Sequence, residues 1–408
     1  MKSPRIAAVT LACLCATAAH ADDPFQLALT VDGSSAFNQG YSKLEDLISQ
    51  FSNAELSEVP GYTVNSAARG EINLRGLSGV VLSYEANSPT LRLQVAALGI
   101  DEQFAGANRD ASEDLLDAWF KGEGKAQVTK LLNALAAESP IDPIAGNPNS
   151  LMAGMAGADF ANAAGLPQMV GKAGEAGGER NFFGISARFG QYSQRNFDSQ
   201  VLSVPMSYTH LMSDPRYALV VDLPLTYVKT EGSDTYSGSL GVGLRVPVAE
   251  RWSLTPAVRA GAAGSVDLGA AGIIYSGSLT SHYAFQPVKQ FDLALVNMVA
   301  YYSTDSVQAG DYDIGYDLQN TVFRNGLLAS RGAGFSLIGT PMQWELQAVR
   351  TDYFGDELYS KSYQDFAVSL GTRKQSGRLV WNALRLGLTY TVGKGDVDGV
   401  GANLGYTF

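Results

Sequence analysis

Residues 181–408 alternate between large apolar side chains and small or polar ones over long stretches. A period of two is typical of β-strands, whose successive side chains point to opposite faces of a sheet. The stretches are about 11 to 18 residues long, whereas strands of soluble sheets usually have about 5 or 6. The alternation is clearest at 217–227, 236–246 and 384–392, and it restricts the fold more than any other feature of the sequence.

This alternation is compatible with two folds. A soluble β-sandwich packs its large apolar face against a second sheet, whereas a membrane barrel turns that face toward lipid and keeps a polar lumen. The barrel is favoured because Tyr and Trp stand at the ends of the apolar faces and because Gly and Ala crowd the opposite faces. The strands are also long enough to cross a bilayer at a tilt. We therefore predict an all-β, antiparallel transmembrane barrel.

Twelve strands are predicted for this barrel, an even number as bacterial barrels require. The segment 323–341 is the weak point of the count because it is too long for a turn. It either extends a strand or contains two further strands, which would make fourteen. The predicted strands are 181–192, 199–211, 215–228, 233–247, 250–261, 267–284, 289–302, 311–322, 342–353, 361–373, 377–393 and 398–408.

The first 21 residues have the pattern of a secretory signal peptide. Lys2 and Arg5 precede an apolar run over 6–18 and an Ala-His-Ala cleavage site at 19–21, and both cysteines of the chain lie within the run. Removing this leader leaves 27 Lys and Arg against 40 Asp and Glu, a net charge of about −13, which argues against a nucleic-acid partner. The remaining sequence contains no apolar run of about 18 residues, so a membrane-spanning helix is not expected.

Two regions separate the leader from the barrel. Residues 22–140 have the periodicities of a small mixed α/β region, including a capping box at Ser42–Glu45 ahead of an amphipathic helix. Residues 141–180 begin with Pro, Gly and Asn and continue as a Gly- and Ala-rich segment, in which a helix is predicted from Ser150 to about Ala164. This segment is either a flexible linker or a thin helix that occupies a narrow channel.

The order of leader, small N-terminal region, small-residue segment and C-terminal barrel resembles that of a type V autotransporter translocator. The segments YDLQNTVFRNGL, RTDYFGDELYSKSY and GTRKQ, with the final GANLGYTF, are most similar to solitary autotransporter-like outer membrane barrels, over about 181–408. The resemblance implies twelve strands and an α-helical segment in or near the pore. A long repetitive passenger is absent from the sequence, so the transport of a large passenger is not expected.

Two functions follow from this organisation. The first is a bacterial outer membrane protein whose barrel anchors, displays or is plugged by residues 22–140. The alternative is a small-solute channel in which residues 22–180 form a periplasmic or gating domain. The expected partners are outer membrane lipid, lipopolysaccharide and the outer membrane assembly machinery, and the chain is expected to be a monomer.

Several charged side chains fall on the face that the alternation assigns to the lumen. Unpaired charges are costly in a narrow lumen, so these groups are expected to pair with each other or with an inserted helix. A plugged, ion-paired interior is favoured over an ion-selective pore because a twelve-stranded barrel has little room beyond a helix. The lumen-facing residues are Arg188, Asp222, Arg245, Arg259, His282, Asp292, Asp313, Asp317, Glu345, Asp365 and Arg385.

The sequence indicates no catalytic, metal or cofactor site. The positions two away from His282 are Thr280 and Ala284, so no serine lies on the same strand face for the histidine to activate. The clustered acids Asp311, Asp313 and Asp317 have no histidine near them in sequence, which argues against an aspartyl protease. We therefore expect a protein that is not an enzyme.

The chain ends on a strand rather than on a polar tail. Leu404, Tyr406 and Phe408 share the lipid-facing side of this strand, and a terminal Phe with Tyr two residues before it resembles the signal read by the outer membrane assembly machinery. We expect that deleting Phe408 will sharply lower the amount of assembled barrel, measured as heat-modifiable protein on gels. A normal yield of heat-modifiable barrel after the deletion would contradict this prediction.

Overall fold

The computed structural model describes residues 22–173, 180–288, 291–309, 312–337, 340–372 and 384–407. The leader, residues 373–383 with the start of the predicted strand 377–393, and Phe408 lie outside these ranges, so the predictions that concern them stay predictions. None of the helices within the described ranges combines the length and the apolar character needed to cross a bilayer.

The N-terminal region, which we call the cap (residues 22–140), is built on a six-stranded antiparallel sheet with the order β2-β1-β3-β4-β5-β6. One face of the sheet is apolar, and its side chains pack against short helices, so the predicted α/β character is confirmed. The strands are β1 (Phe25–Val31), β2 (Ser34–Tyr41), β3 (Ala68–Leu74), β4 (Leu77–Tyr84), β5 (Leu91–Val95) and β6 (Ile100–Phe104). The helices are α1 (Leu44–Ser49), α2 (Asn53–Ser57), α3 (Arg109–Ala118) and α4 (Lys125–Glu138).

The predicted capping box at Ser42–Glu45 is wrong. Helix α1 begins at Leu44, and the residue at its N-cap position, Lys43, makes no side-chain capping bond. The Ser42 hydroxyl instead donates to the carbonyl oxygen of Glu231 at 2.8 Å, in a turn of the barrel. A tertiary contact has therefore replaced the local bond that the sequence pattern predicts.

The C-terminal region is a closed antiparallel barrel of twelve strands, as predicted, in which β19 pairs with β7 and β12 pairs with β13. Closure leaves the barrel sheet without a free edge. The strands are β7 (Asn181–Gln194), β8 (Phe197–Leu211), β9 (Ala218–Thr230), β10 (Ser233–Ala249), β11 (Trp252–Ser265), β12 (Ala270–Val288), β13 (Phe291–Ala309), β15 (Gln319–Leu337), β16 (Thr340–Gly355), β17 (Ser362–Thr372), β18 (Leu384–Gly393) and β19 (Val397–Thr407).

The eighth barrel strand differs from the sequence prediction of 311–322. A short strand, β14 (Tyr312–Gly315), pairs only with the end of β13, and the barrel strand β15 begins at Gln319 and continues to Leu337. The long segment 323–341 is therefore a strand extension and does not hide two extra strands. The pattern was misread because Tyr312–Gly315 has strand-like alternation of its own.

The outer face of the barrel is an apolar band flanked by two aromatic girdles. Large side chains such as Leu240, Leu386 and Leu404 are exposed between the girdles. This arrangement is that of a barrel embedded in lipid, and the protein is accordingly a bacterial outer membrane β-barrel. Aromatic residues of one girdle include Tyr236, Tyr275, Tyr301 and Tyr390, and those of the other include Phe183, Trp252, Tyr283 and Trp344.

The two ends of the barrel are occupied differently. Strand β7 begins and β19 ends at one end, which we call the base. The turns at 195–196, 231–232 and 266–269 lie at the other end, where the cap is docked, and which we call the capped end. Helix α5 (Leu151–Ala173) follows the cap in the chain and packs against the inner wall formed by β9 to β13. One continuous apolar core connects the cap, α5 and this inner wall.

Candidate functional site

The lumen contains helix α5, so the Gly- and Ala-rich segment is a channel-filling helix. Its first turn is stabilised by the preceding Ser150, whose hydroxyl accepts the amide of Ala153 at 3.4 Å, as the sequence predicts for a helix start. Met152, Met155 and Phe160 are buried against the barrel wall. The helix extends to Ala173, beyond the predicted end near Ala164.

Glycines on the inner barrel wall make room for this helix and its partners. A Cβ atom added at Gly261 would lie 3.0 Å from Leu151 Cδ1 and 2.8 Å from Ser239 Cβ. A Cβ added at Gly326 would lie 2.6 Å from the Phe160 ring. Gly261 and Gly326 therefore leave spaces that α5 fills, which is the close-approach role of glycine in strands.

A buried group of polar side chains, which we call the central cluster, joins α5 to three strands. The Arg259 guanidinium donates to Asp159 of α5 at 2.7 Å and to Asp222 of β9 at 2.7 and 2.8 Å. The second oxygen of Asp159 accepts the Ser278 hydroxyl at 2.8 Å. The amide of Asn162, one helical turn further along α5, donates to Asp222 at 2.8 Å.

The central cluster fixes the position of the helix in the lumen. It contains two carboxylates and one guanidinium, and the side chain of Arg259 is fully buried. Removing the guanidinium would leave two uncompensated carboxylates in a site that water reaches poorly. Because Asp159 and Asn162 must meet their partners together, the cluster determines both the rotation and the height of α5. The central cluster therefore has a structural role, because each of its hydrogen-bonding groups described above is directed at another protein group.

A second ion pair lies on the neighbouring wall. Arg324 of β15 donates to Asp365 at 2.7 Å, to Thr351 at 2.9 Å and to the Tyr363 hydroxyl at 3.1 Å. Its guanidinium also lies 5.3 Å from the centre of the Phe160 ring of α5, a cation–π distance. The same helix is therefore held by charge on one side and by an aromatic contact on another.

A third buried pair, which we call the mouth pair, connects the cap to the barrel. Asp142 accepts the Tyr316 hydroxyl at 2.7 Å and the amides of Ile144 and Ala145, and it lies 3.5 Å from the Arg75 guanidinium. Burial raises the pKa of the Asp142 carboxyl, and the charge of Arg75 offsets part of that rise. The mouth pair thus ties together the β3–β4 turn of the cap, the linker and the barrel rim.

Further contacts join the cap to other parts of the barrel rim. Lys43 pairs with Asp267 at 3.4 Å, and Lys125 pairs with Asp313 at 2.5 Å. Asn133 exchanges two hydrogen bonds with the backbone of Asp317. Asp313 and Asp317, which the sequence assigned to the lumen, therefore lie at the mouth and receive the cap, because the strand that would carry them is interrupted after Gly315.

The remaining residues assigned to the lumen are distributed over its wall. Arg385 pairs with Glu345, and Arg245 donates to the Arg216 carbonyl oxygen at 2.6 Å near the base. Asp292 accepts the Gln286 amide at 3.0 Å. Arg188 faces the lumen from β7, opposite the wall that α5 covers, and is exposed there.

His282 has a serine neighbour on the adjacent strand. Ser253 of β11 is its cross-strand partner on the lumen face, and both side chains are buried. No hydrogen bond joins the two among the described contacts, and the buried Ser253 hydroxyl has no partner among the described residues. The register alone therefore provides no catalytic arrangement. Within the described ranges, no three His, Cys, Asp or Glu side chains are grouped to hold a metal ion.

Sequence reasoning missed Asp159, Asn162 and Arg324. Asp159 is the only charged residue between Leu151 and Gly165, and a lone charge in a small-residue helix could have indicated a buried ion pair. Arg324 was missed because the predicted eighth strand ends at residue 322. No signal in the sequence connects Asp142 with Arg75 or with Tyr316, since the three lie on separate segments.

Comparisons with known proteins bear on the barrel. No protein-family model matches the chain, and no curated protein sequence matches it. The structure is similar to the β domain of the Bordetella autotransporter BrkA, at 14% identity and a TM-score of 0.42, over 56% of this chain and 98% of that one. It is also similar to the translocator domain of the autotransporter NalP from Neisseria meningitidis, at 12% identity and a TM-score of 0.43, over 62% and 97%.

An outer membrane channel from Pseudomonas putida F1 is similar at 11% identity and a TM-score of 0.38, over 56% of this chain and 95% of that one. Translocator domains and channels are thus both among the similar structures. The barrel fold is assigned from the strand pairing within this protein and not from these similarities.

Proposed function

We propose that this protein is an autotransporter-type outer membrane protein that displays its own N-terminal domain at the cell surface as a fixed cap. The observation that carries the proposal is the path of the chain. The cap sits at the end of the barrel opposite to both barrel termini, and α5 runs from the capped end into the lumen ahead of β7, which begins at the base.

The orientation of the cap follows from the direction of export. An exported chain reaches the outer membrane from the periplasm, and an even strand number leaves both barrel termini on one side. With the base in the periplasm, α5 crosses the membrane inside the barrel and the cap faces outward. The central cluster and the mouth pair then hold the domain in place after assembly, so that it remains attached and does not leave as a free passenger.

Cysteine labelling of intact cells tests this orientation. Val64 is 61% exposed on the cap, and Ser213 is exposed in the β8–β9 turn at the base. In full-length chains, Val64→Cys is expected to react on intact cells with a membrane-impermeant maleimide, whereas Ser213→Cys should react only after the cells are lysed. The reverse pattern would place the cap in the periplasm and would contradict surface display.

A small-solute channel is the second candidate, and one observation favours it. The lumen wall opposite α5, which includes Ser186, Arg188 and Asn403, is only partly covered. Conduction would require that the cap leave the capped end. Steady channels formed by the native chain in planar bilayers would support this candidate and would contradict a permanent cap.

A further inference from the structure

The outer face of the barrel carries one feature that does not belong on a lipid-facing wall. Five polar side chains form a continuous cross-strand row over five neighbouring strands, with all pairs in register. We call this set the polar row, and its members are Ser281, Asn297, Asn325, Arg350 and Gln364. Each faces outward, since the residues on either side of it along its strand face the lumen.

The next outward-facing row toward the base shows how depth in the membrane changes from strand to strand. It begins at Tyr283 in the girdle of the base and, after five steps from strand to strand, reaches Tyr390 in the girdle of the capped end. Between them it contains only Leu295, Leu327, Ala348 and Phe366. Neighbouring strands lie about 4.8 Å apart and are tilted by about 40° in a barrel, so each step along this row corresponds to about 3 Å of depth.

The polar row lies two residues nearer the capped end, which adds about 5 Å on a tilted strand. Asn297 is therefore about 8 Å above the girdle of the base, and Asn325 about 11 Å above it. Both side chains lie inside the apolar band, which is about 25 Å tall. Lipid head groups do not reach this depth, so a lipid would leave the amides in contact with acyl chains.

The two central amides are only partly satisfied. Asn297 Nδ2 donates to Asn325 Oδ1 at 2.7 Å. Within the described ranges, the structure gives no partner to the remaining amide hydrogens or to Asn297 Oδ1. Unsatisfied polar groups in hydrocarbon are costly, and in membrane proteins Asn side chains commonly hydrogen-bond across an interface.

The charged part of the row is near the capped end. The Arg350 guanidinium donates to both oxygens of Asp352 at 2.7 to 3.1 Å. Phe354 follows them toward the rim and is exposed. The pair is neutral as a unit, so the whole row presents donors and acceptors without a net charge to attract an ionic partner.

We propose that the polar row is an interface within the membrane for a second copy of this chain. Amides are self-complementary because each carries donors and an acceptor. A two-fold axis parallel to the barrel axis would make the two inclined rows cross inside the apolar band, where Asn297 and Asn325 of each copy meet. The opposite wall has no such feature: Leu202, Val204 and Met206 occupy the outward positions of β8. This proposal replaces the monomer expected from the sequence.

Disulfide cross-linking tests the crossing point directly. The chain's own cysteines, Cys13 and Cys15, lie in the predicted leader, so single-cysteine variants of the full chain are straightforward. Asn297→Cys in native outer membranes, oxidised with copper phenanthroline, is expected to give a disulfide-linked dimer as the main species. Val204→Cys, at the middle of β8 on the opposite wall, should remain monomeric. Equal cross-linking of the two variants, or none at Asn297→Cys, would overturn the proposal.

A second measurement separates a protein partner from a lipid. The double variant Asn297→Leu/Asn325→Leu is expected to raise the dimer dissociation constant about ten-fold, measured by sedimentation equilibrium in density-matched detergent. Heat-modifiable migration on gels verifies that it folds. A double variant that dimerises as tightly as the native chain would refute the interface. A native chain that is monomeric, with lipopolysaccharide lost from the double variant, would assign the row to lipid and also refute it.

Discussion

Replacing Arg259 with methionine in the full chain is expected to lower the free energy of unfolding by about 4 kcal/mol and to open the lumen. The guanidinium is the only cation of the central cluster, and without it Asp159 and Asp222 face each other as buried, uncompensated carboxylates. Water can reach them only if α5 leaves its position. We therefore expect steady ion conductance in planar bilayers from Arg259→Met and little or none from the native chain.

The same chain offers a control and a rescue for this experiment. Arg216 pairs with Asp214 at 2.7 Å, but this pair is on the surface, so Arg216→Met should cost less than about 1 kcal/mol. Adding Asp159→Asn and Asp222→Asn to Arg259→Met removes the buried charges and should restore most of the stability. If Arg259→Met is no less stable than Arg216→Met, the central cluster does not hold the helix.

Replacing Asp142 with alanine is expected to release the cap from the barrel at a cost of about 3 kcal/mol. The change leaves the buried Arg75 guanidinium without its anion and the Tyr316 hydroxyl without its acceptor. The barrel strands do not depend on Asp142, so the loss should be confined to the docking of the cap. Hydrogen exchange should then accelerate in residues 22–140 and change little in the barrel strands.

Asp317 supplies the matched control for this prediction. It follows Tyr316 directly and contacts Asn133 through its backbone, while its carboxylate has no described partner. Asp317→Ala should therefore leave the hydrogen exchange of the cap as in the native chain. Equal acceleration in both variants would mean that the rim loop as a whole, rather than the mouth pair, holds the cap.

The barrel was predictable from the sequence because the side chains of a strand alternate between its two faces. Every second residue is therefore apolar where it faces lipid, and the residues between are small or polar where they face the lumen. Leu384, Leu386 and Leu388 face lipid while Arg385 and Gly387 face the lumen, and this pattern needs no knowledge of the neighbouring strands. The phasing that placed Asp222 and Arg259 on the lumen face follows from the same rule. It failed at Asp313 and Asp317, since alternation continues through the short strand β14 although the barrel wall does not.

The partners of the lumen charges were not predictable in this way. Asp159 meets Arg259 across 100 residues of sequence, and Asn162 meets Asp222 across 60. Which helix residue faces which strand depends on the height and rotation of α5, and neither leaves a periodic trace in the sequence. The same holds for the polar row, whose members occupy ordinary outward positions in five separate strands.

The sequence by itself therefore determined the compartment and the barrel, because lipid and lumen impose a period of two on every strand that separates them. It left the strand number open between twelve and fourteen. Only the tertiary structure decided what fills the barrel and which end carries the cap. Those outcomes depend on strand register and on the docking of a helix, which bring together single residues from distant segments. Arg259 illustrates both levels: alternation placed it on the lumen face, and the packing of α5 supplied the carboxylate that it binds.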